Sequence, residues 1–459
     1  MDQKNVDKGA ELSSSAVTFN KPTRARYWVI FFAVTLAVIT YIDRVCISQA
    51  APKISAELGL TPVQVGFAFS AFTFAYALFE IPGGWLGDVL GARRVLLRIV
   101  IWWSLFTAAT GWIWNLPSLL VTRFLFGAGE AGCFPNLTKA FMTWLPKRER
   151  VRAQGIMWLS ARWGGAFTPP LVALILVYLS WRWAFMIFGL IGVVWAVFFF
   201  GWYRDNPREH PSVNDAEKEI LPDPATVIAS HGSPPWGIFL SSSTVWLLWL
   251  QYMFLSYGWY FYITWLPTYL QQARGTSLTR GALLSILPLF FGGIGSMTSG
   301  YLATYLEYKT GNVKTVRRWL AGIGFFGAAV CLSLSVNISN PLMAMIAMGL
   351  ASFSNDLAMP PSWGACMDVG GKYAGTLSGS MNMMGNLGGA IGPIVVGFVL
   401  QATNHNWAVA FYISAAVYLL GIFCWMFIDP VTPLDEVKED VLPNAAWQHG
   451  SIASSETQD

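Results

Sequence analysis

Asp43, Arg44, Arg123, Glu130, Arg162 and Asp356 each stand inside a long apolar run. A charge at the middle of a bilayer costs at least about 2.5–3.5 kcal/mol on insertion scales, so each needs a partner, a water-filled cavity or a function. Arg123 and Glu130 are seven residues apart, two helical turns, and share a helix face. Arg44 lies three residues after Tyr41 and four before Ser48, which makes a polar stripe. Planar guanidinium groups suit bidentate recognition of carboxylate or phosphate. If Arg44, Arg123 and Arg162 converge on one cavity, they outnumber Asp43 and Glu130, and an anionic substrate would supply the missing charge. The carboxylates suit a second task. One that loses its Arg to an arriving substrate protonates more readily, so proton and anion bind cooperatively. The simpler alternative is that Arg123–Glu130 and Asp43–Arg44 are fixed ion pairs. Arg162 has no evident carboxylate on its own run and could lie at a cavity mouth, and no partner is evident for Asp356.

Positioning these groups takes a membrane scaffold. Of the 459 residues 54% are hydrophobic and only 12% charged, about half the charged share of a soluble chain. The apolar residues fall into repeated runs of about 20, the length that crosses a bilayer. Twelve spans are predicted, at 27–50, 63–86, 94–114, 118–144, 152–179, 182–202, 244–271, 280–305, 317–336, 341–364, 374–402 and 407–428. The expected fold is an all-α membrane protein with two pseudo-symmetric six-helix bundles, 27–202 and 244–428. A linker, 203–243, and tails, 1–26 and 429–459, complete the chain. Twenty of the 29 Lys and Arg fall on the face shared by both tails and four on the opposite face. By the positive-inside rule both termini are cytoplasmic, in a multi-pass protein of the cell's inner (plasma) membrane.

A soluble enzyme, a nucleic-acid binder and a disulfide scaffold are excluded. No pair among Cys46, Cys133, Cys331, Cys366 and Cys424 has a metal-type spacing, and the four His fall in loops or tails. No metal, cofactor or disulfide is expected, and no nucleophile–base constellation points to an enzyme. The expected partners are a small organic anion, protons and the lipid bilayer, acting on a functional monomer.

The halves echo each other. Gly84-Trp-Leu-Gly-Asp88 with Arg93-Arg94 has a weak counterpart in Gly300-Tyr-Leu-Ala-Thr304 with Arg317-Arg318. Gly165-Ala-Phe-Thr-Pro169 matches Gly389-Ala-Ile-Gly-Pro393. Repeated halves of six spans suit a transporter that rocks two bundles around a central site. In the first loop, Asp88, Arg93 and Arg94 are the expected gate, a carboxylate facing basic residues across a tight turn. Glu80 and Arg98 either join it or are solvated. Tyr76, Trp259 and Trp363 either line a cavity or pack.

Together these residues resemble the major facilitator superfamily and, within it, the anion:cation symporter family of bacterial hexuronate, galactonate and glucarate transporters and animal sialic-acid and vesicular glutamate transporters. The resemblance runs from about Tyr27 to Ile428. It rests on Tyr41-Ile-Asp43-Arg44, Pro82-Gly-Gly-Trp-Leu-Gly-Asp88, Arg123-Phe-Leu-Phe-Gly-Ala-Gly-Glu130-Ala-Gly-Cys-Phe-Pro135, Arg208-Glu-His-Pro211, Trp265-Leu-Pro-Thr-Tyr269 and Asn382-Met-Met-Gly-Asn386. It implies proton coupling at Asp43 and Glu130, and anion recognition at Arg44 and Arg123. It also implies substrate contact at Tyr41, Tyr76 and Asn386. Gln251–Tyr252 falls, with a one-residue offset, where some relatives have a substrate-binding Gln. Three positions depart from the pattern. Glu80 and Arg162 stand where Gln is usual or common, and Pro360 where some have Ser. The cation gained at Arg162 makes a dicarboxylate or aromatic acid as plausible a substrate as a sugar acid. The function expected is a proton-coupled symporter of a small organic anion working by alternating access. An uncoupled facilitator is an alternative. So is an organophosphate/phosphate antiporter, which would call for a basic residue in 245–270, where there is none.

Overall fold

Long apolar runs with no water to bond their backbone must satisfy every N–H internally, which in a single segment means a helix. The computed structural model describes residues 21–221, 236–370 and 373–434, leaving out the side chains of Asp88, Lys147, Arg148, Arg150, Val151, Arg152 and Ala374. Twelve helical rods follow one another along these residues. Spans 1 to 3 are Tyr27–Leu58, Pro62–Leu90 and Ala92–Thr110. Span 4 is Leu116–Glu130 continued by Cys133–Trp144. Spans 5 and 6 are Lys147–Tyr178 and Trp181–Trp202. Span 7 joins Ser243–Thr264 to Leu266–Gln272, and span 8 joins Leu278–Leu284 to Ile286–Thr310. Span 9 is Val313–Asn337, span 10 joins Pro341–Leu357 to Met359–Gly370, and spans 11 and 12 are Ala374–Ala402 and Trp407–Phe427. Among the described residues nine of these rods are long and apolar enough to cross a membrane; spans 3, 4 and 7 are the others.

Spans 4, 7, 8 and 10 are broken, although their sequences read as continuous. The cause recurs. Pro135, Pro267, Pro288 and Pro360 sit at the second or third residue of the later segment. There each removes an N–H that would have bonded back across the junction. In span 4 Gly132, at φ 85°, turns the chain in a way a side chain would strain.

Each half packs alike. Span 1 lies on span 5, span 2 on span 4 and span 3 on span 6; correspondingly 7 lies on 11, 8 on 10 and 9 on 12. Spans 2 and 11, then 5 and 8, then 1 and 7 join the halves. At the end remote from the termini, spans 2 and 11 touch through backbone. Gly66 packs on Pro393 and Gly397 on Pro62, so closely that a Cβ at either glycine would overlap the other helix. Phe67 meets Phe398 and Phe69 meets Trp265, seals of 6.2 and 5.4 Å between ring centres. The space between the halves is therefore closed at the end where spans 2 and 11 touch.

The described part of the linker folds back on span 1. Buried Glu217 accepts hydrogen bonds from Thr23 Oγ1, from the N–H of Ala25 at 3.0 Å and Arg26 at 3.2 Å, and from Arg26 Nη1 at 3.0 Å. Arg26 also reaches Glu149 at 3.0 Å. Burial opposes the Glu217 charge, but the bonds from Thr23, Arg26 and Ala25 outweigh it and hold the carboxyl below its ordinary range. The clasp is therefore fully present above the pH where a free Glu ionises, about 4.3. It is lost as pH falls through the lower folded value. Glu217→Ala leaves Arg26 to Glu149 alone but removes the acceptor of the bonds from Thr23, Ala25 and Arg26, and is expected to cost about 1–3 kcal/mol. Thermal unfolding in detergent at neutral pH measures this, and an unchanged midpoint would contradict it.

Candidate functional site

Residues 43 and 44 are neighbours on a helix and so point about 100° apart. Arg44 faces the space between the halves, while Asp43 is wholly buried inside the first bundle. The break after Glu130 ends the first part of span 4 beside span 1, and Arg44 pairs with Glu130 through Nε and Nη2. The fixed pairs Arg123–Glu130 and Asp43–Arg44 considered from sequence do not form. The cross-helix pair replaces them because Arg44 alone leaves the face that holds Asp43. Four rings surround the Arg44 guanidinium: Tyr76 at 4.7 Å, Phe72 at 5.2 Å, Tyr41 at 5.4 Å and Phe134 at 5.7 Å.

Arg123 lies behind this group, 1% exposed, with its guanidinium 4.4 Å from the Phe126 ring and 5.4 Å from Phe72. The structure does not bring it to the cavity. Its Nε and Nη1 lack hydrogen-bond partners, and Asp43 lies among Glu130, Arg123 and Trp103.

Arg162 does have a carboxylate partner, on the other half of the molecule. Its Nη2 lies 3.1 Å from Asp356 Oδ1, and its guanidinium covers the Trp259 ring at 4.5 Å. Asn355 Nδ2 donates to the same Asp356 oxygen at 2.9 Å. Sequence reading missed this pair because 194 residues separate its members and no periodicity links them. Two unexplained charges in one apolar protein were the available signal.

Glu80 is not part of a loop gate. It is buried at the interface of spans 2 and 11, where Asn382 Nδ2 and, at 3.4 Å, Asn386 Nδ2 donate to it. Tyr260 in turn donates to Asn386 Oδ1 at 2.7 Å. Of Gln251 and Tyr252, only Tyr252 lines the cavity, its hydroxyl accepting from Trp363 Nε1 at 3.2 Å. Gln251 faces away, accepting from Ser362 Oγ at 3.1 Å and Trp425 Nε1 at 3.2 Å. Arg93 engages the end of span 6 and the residues after it. Its Nη2 donates to the Phe200 carbonyl at 2.7 Å, and its backbone N–H donates to Asp205 at 3.0 Å. Arg94 and Arg98 are exposed, and the Asp88 side chain lies outside the described residues.

The cavity between the halves has a volume of about 70 Å³. Tyr41, Arg44, Tyr76, Phe134, Trp158 and Arg162 come to it from the first half. From the second come Tyr252, Ser256, Trp259, Tyr260, Asn355, Asp356, Met359, Trp363, Asn382 and Asn386, among others. The charge balance differs from that read in the sequence. Glu80 and Asp356 join Asp43 and Glu130, so three guanidinium and four carboxyl groups are buried among the helices, and of these Arg44, Arg162 and Asp356 line the cavity. Both cavity-facing guanidinium groups are already paired, with Glu130 and Asp356, so an anion that engages either one displaces a buried carboxylate.

Residues 33–393 match the profile of the Major Facilitator Superfamily. A probable sulfoacetate transporter of Cupriavidus necator is 34% identical, over 91% of this chain and 96% of its own length. The hexuronate transporter of Bacillus subtilis is 31% identical, over 82% and 88%. Among solved structures, a bacterial homologue of the human lysosomal transporter Spinster, inward-facing and unoccupied, superposes with a TM-score of 0.68. It covers 88% of this chain and 98% of its own at 18% identity, a likeness of fold alone.

Proposed function

The chain belongs to the major facilitator superfamily and is a membrane transporter, not an enzyme; on that premise we propose that it carries a small organic anion together with protons, by alternating access. The observation that carries this reading is that both guanidinium groups facing the cavity, Arg44 and Arg162, already hold a buried carboxylate, Glu130 and Asp356. An unpaired charge in low dielectric is too costly to persist, so an anion entering here brings protons with it. Arg44 and Arg162, each facing the cavity while holding a carboxylate, take the acid groups of the substrate. Tyr41, Tyr76, Tyr252 and Asn386 surround it. Glu130 takes up the proton when the substrate engages Arg44. Asp43 and Arg123, out of contact with the cavity, form the reserve behind that pair.

Relatives named for sulfoacetate and hexuronate transport support a carboxylate or sulfonate of a few carbons. The organophosphate reading finds no support, since the described cavity wall contributed by the second half has no Lys or Arg. The excess of Lys and Arg on the terminal face supports a cytoplasmic location for that face in the plasma membrane. The sealed contact of spans 2 and 11 then closes the outer side. One chain supplies the whole cavity, which supports a monomer as the working unit.

Uptake into proteoliposomes tests the function. An alkaline interior should drive sulfoacetate or glucuronate above its equilibrium concentration, and dissipating the pH gradient should release the excess. Uptake indifferent to the gradient would leave a facilitator.

A further inference from the structure

Among the described residues, Arg162–Asp356 is the ion pair that joins the first six spans to the last six. It also stands in the cavity wall. Its atoms are incompletely used. Buried Arg162 Nη1 has no hydrogen-bond partner, and its Nη2 bonds only Asp356 at 3.1 Å and the Met359 sulfur at 3.3 Å. Asp356 spends Oδ1 on Arg162 and Asn355, while Oδ2 is unpartnered. The unpartnered Ser352 Oγ, one turn earlier on span 10, lies on the same side. Both oxygens face Gly292 of span 8, at 2.7 Å (Ser352) and 2.8 Å (Asp356) from the point its missing Cβ would occupy.

We propose that Asp356 is a second coupling carboxylate and Arg162 a second anion site, so that the substrate is a short dianion with an acid group at each end. This rests on the transport reading above and extends it. One acid group binds Arg44 and the other takes Arg162 from Asp356. The released carboxylate then accepts one proton from the water of the cavity on Oδ2, where Ser352 Oγ is an acceptor for the acid form. No covalent bond other than that O–H is made, and Arg162 stays a guanidinium throughout. The exchange is favourable only with the proton, because Asp356 without a cation would be a bare charge in low dielectric. The other titratable groups near Asp356 are Tyr252 and Tyr262 on span 7 and Tyr418 on span 12; span 8 presents Gly292. None of these is a second cation.

The exchange also has a mechanical consequence. While Arg162 holds Asp356, span 5 is tied to span 10 across the interface. A substrate that takes over Arg162 removes that tie, and its acid group interacts differently with the tied and untied states. A ligand needs that difference to shift a conformational equilibrium.

The wild-type protein in proteoliposomes tests this through protons carried per anion, read from the substrate gradient that a known pH gradient just balances at zero membrane potential. The probes are sulfoacetate, a dianion, and glucuronate, a monoanion. Sulfoacetate should carry one proton more than glucuronate. Asp356→Asn should reduce the sulfoacetate count by one and leave the glucuronate count unchanged. Arg162→Gln/Asp356→Asn, which removes both charges together and strands neither, should lose at least tenfold of the preference for sulfoacetate. Equal counts for the two anions in wild type overturn the proposal whatever the variants do, as does an Asp356→Asn count equal to wild type. If neither anion responds to a pH gradient, the symport reading fails first. If both respond but the counts match, only this inference fails.

Discussion

Glu130→Gln is expected to abolish pH-driven accumulation of a monoanion such as glucuronate and to leave counterflow exchange measurable. Gln keeps the shape of Glu130 and an oxygen to accept from Arg44, but it carries no charge to exchange. Arg44 then meets the anion without a competing carboxylate, and no proton need enter with the substrate. Each coupled proton is worth about 1.4 kcal/mol, or tenfold in accumulation, per unit of pH gradient. The wild type should therefore concentrate substrate about tenfold for one unit and one proton, and the variant not at all. Because Glu130 is fully buried and its Oε2 has no hydrogen bond, the amide adds a donor but removes a charge whose solvation the fold does not supply. Parallel counterflow separates lost coupling from lost folding. Undiminished accumulation would remove Glu130 from the coupling role.

The second large effect is at Arg44. Truncation to Ala removes the cation facing the cavity and leaves Glu130 buried with no guanidinium bonded to it. The cost to anion binding should be about 2–5 kcal/mol, a loss of roughly 30-fold to several thousandfold. Arg44→Lys should not restore it. The Arg44 guanidinium lies among the faces of Tyr76, Phe72, Tyr41 and Phe134 and uses two nitrogens on Glu130, a geometry a point-like ammonium does not reproduce. Arg123→Ala is the informative control. Arg123 lies out of contact with the cavity, so the loss should appear more in thermal stability than in affinity. Equilibrium binding of sulfoacetate to purified variants measures both, and near-normal affinity in Arg44→Ala would make the pair with Glu130 structural.

The sequence shows the twelve rods because apolar length is a one-dimensional property. The order Tyr41, Asp43, Arg44 on one helix and Arg123, Glu130 on another is equally legible. Partner choice is not. Asp43 and Arg44 read as a pair, but the 100° step between neighbours on a helix sends one inward and the other to the cavity. Asp356 and Arg162 gave no hint of each other because their contact exists only once two bundles face one another. Glu80 read as a neighbour of the Asp88 loop in sequence, whereas in three dimensions it is held by Asn382 and Asn386 of span 11. The missed features all belong to the interface between halves, and that interface decides the charge balance. The helix breaks were legible in principle, since Pro135, Pro267, Pro288 and Pro360 are visible in the sequence. A proline alone does not announce a break, however: Pro52, Pro82 and Pro393 sit inside unbroken helices.

Proton uptake on binding tests the central claim most directly. Sulfoacetate is titrated into the purified protein by calorimetry, at one pH, in buffers of different ionisation enthalpy. The slope of observed heat against buffer enthalpy gives the protons taken up per anion bound. At least one proton should enter with each anion in the wild type, and the number should fall in Glu130→Gln. A slope of zero in the wild type, with sulfoacetate bound, would mean that the cavity accepts an anion without the compensating protons, and would contradict the account.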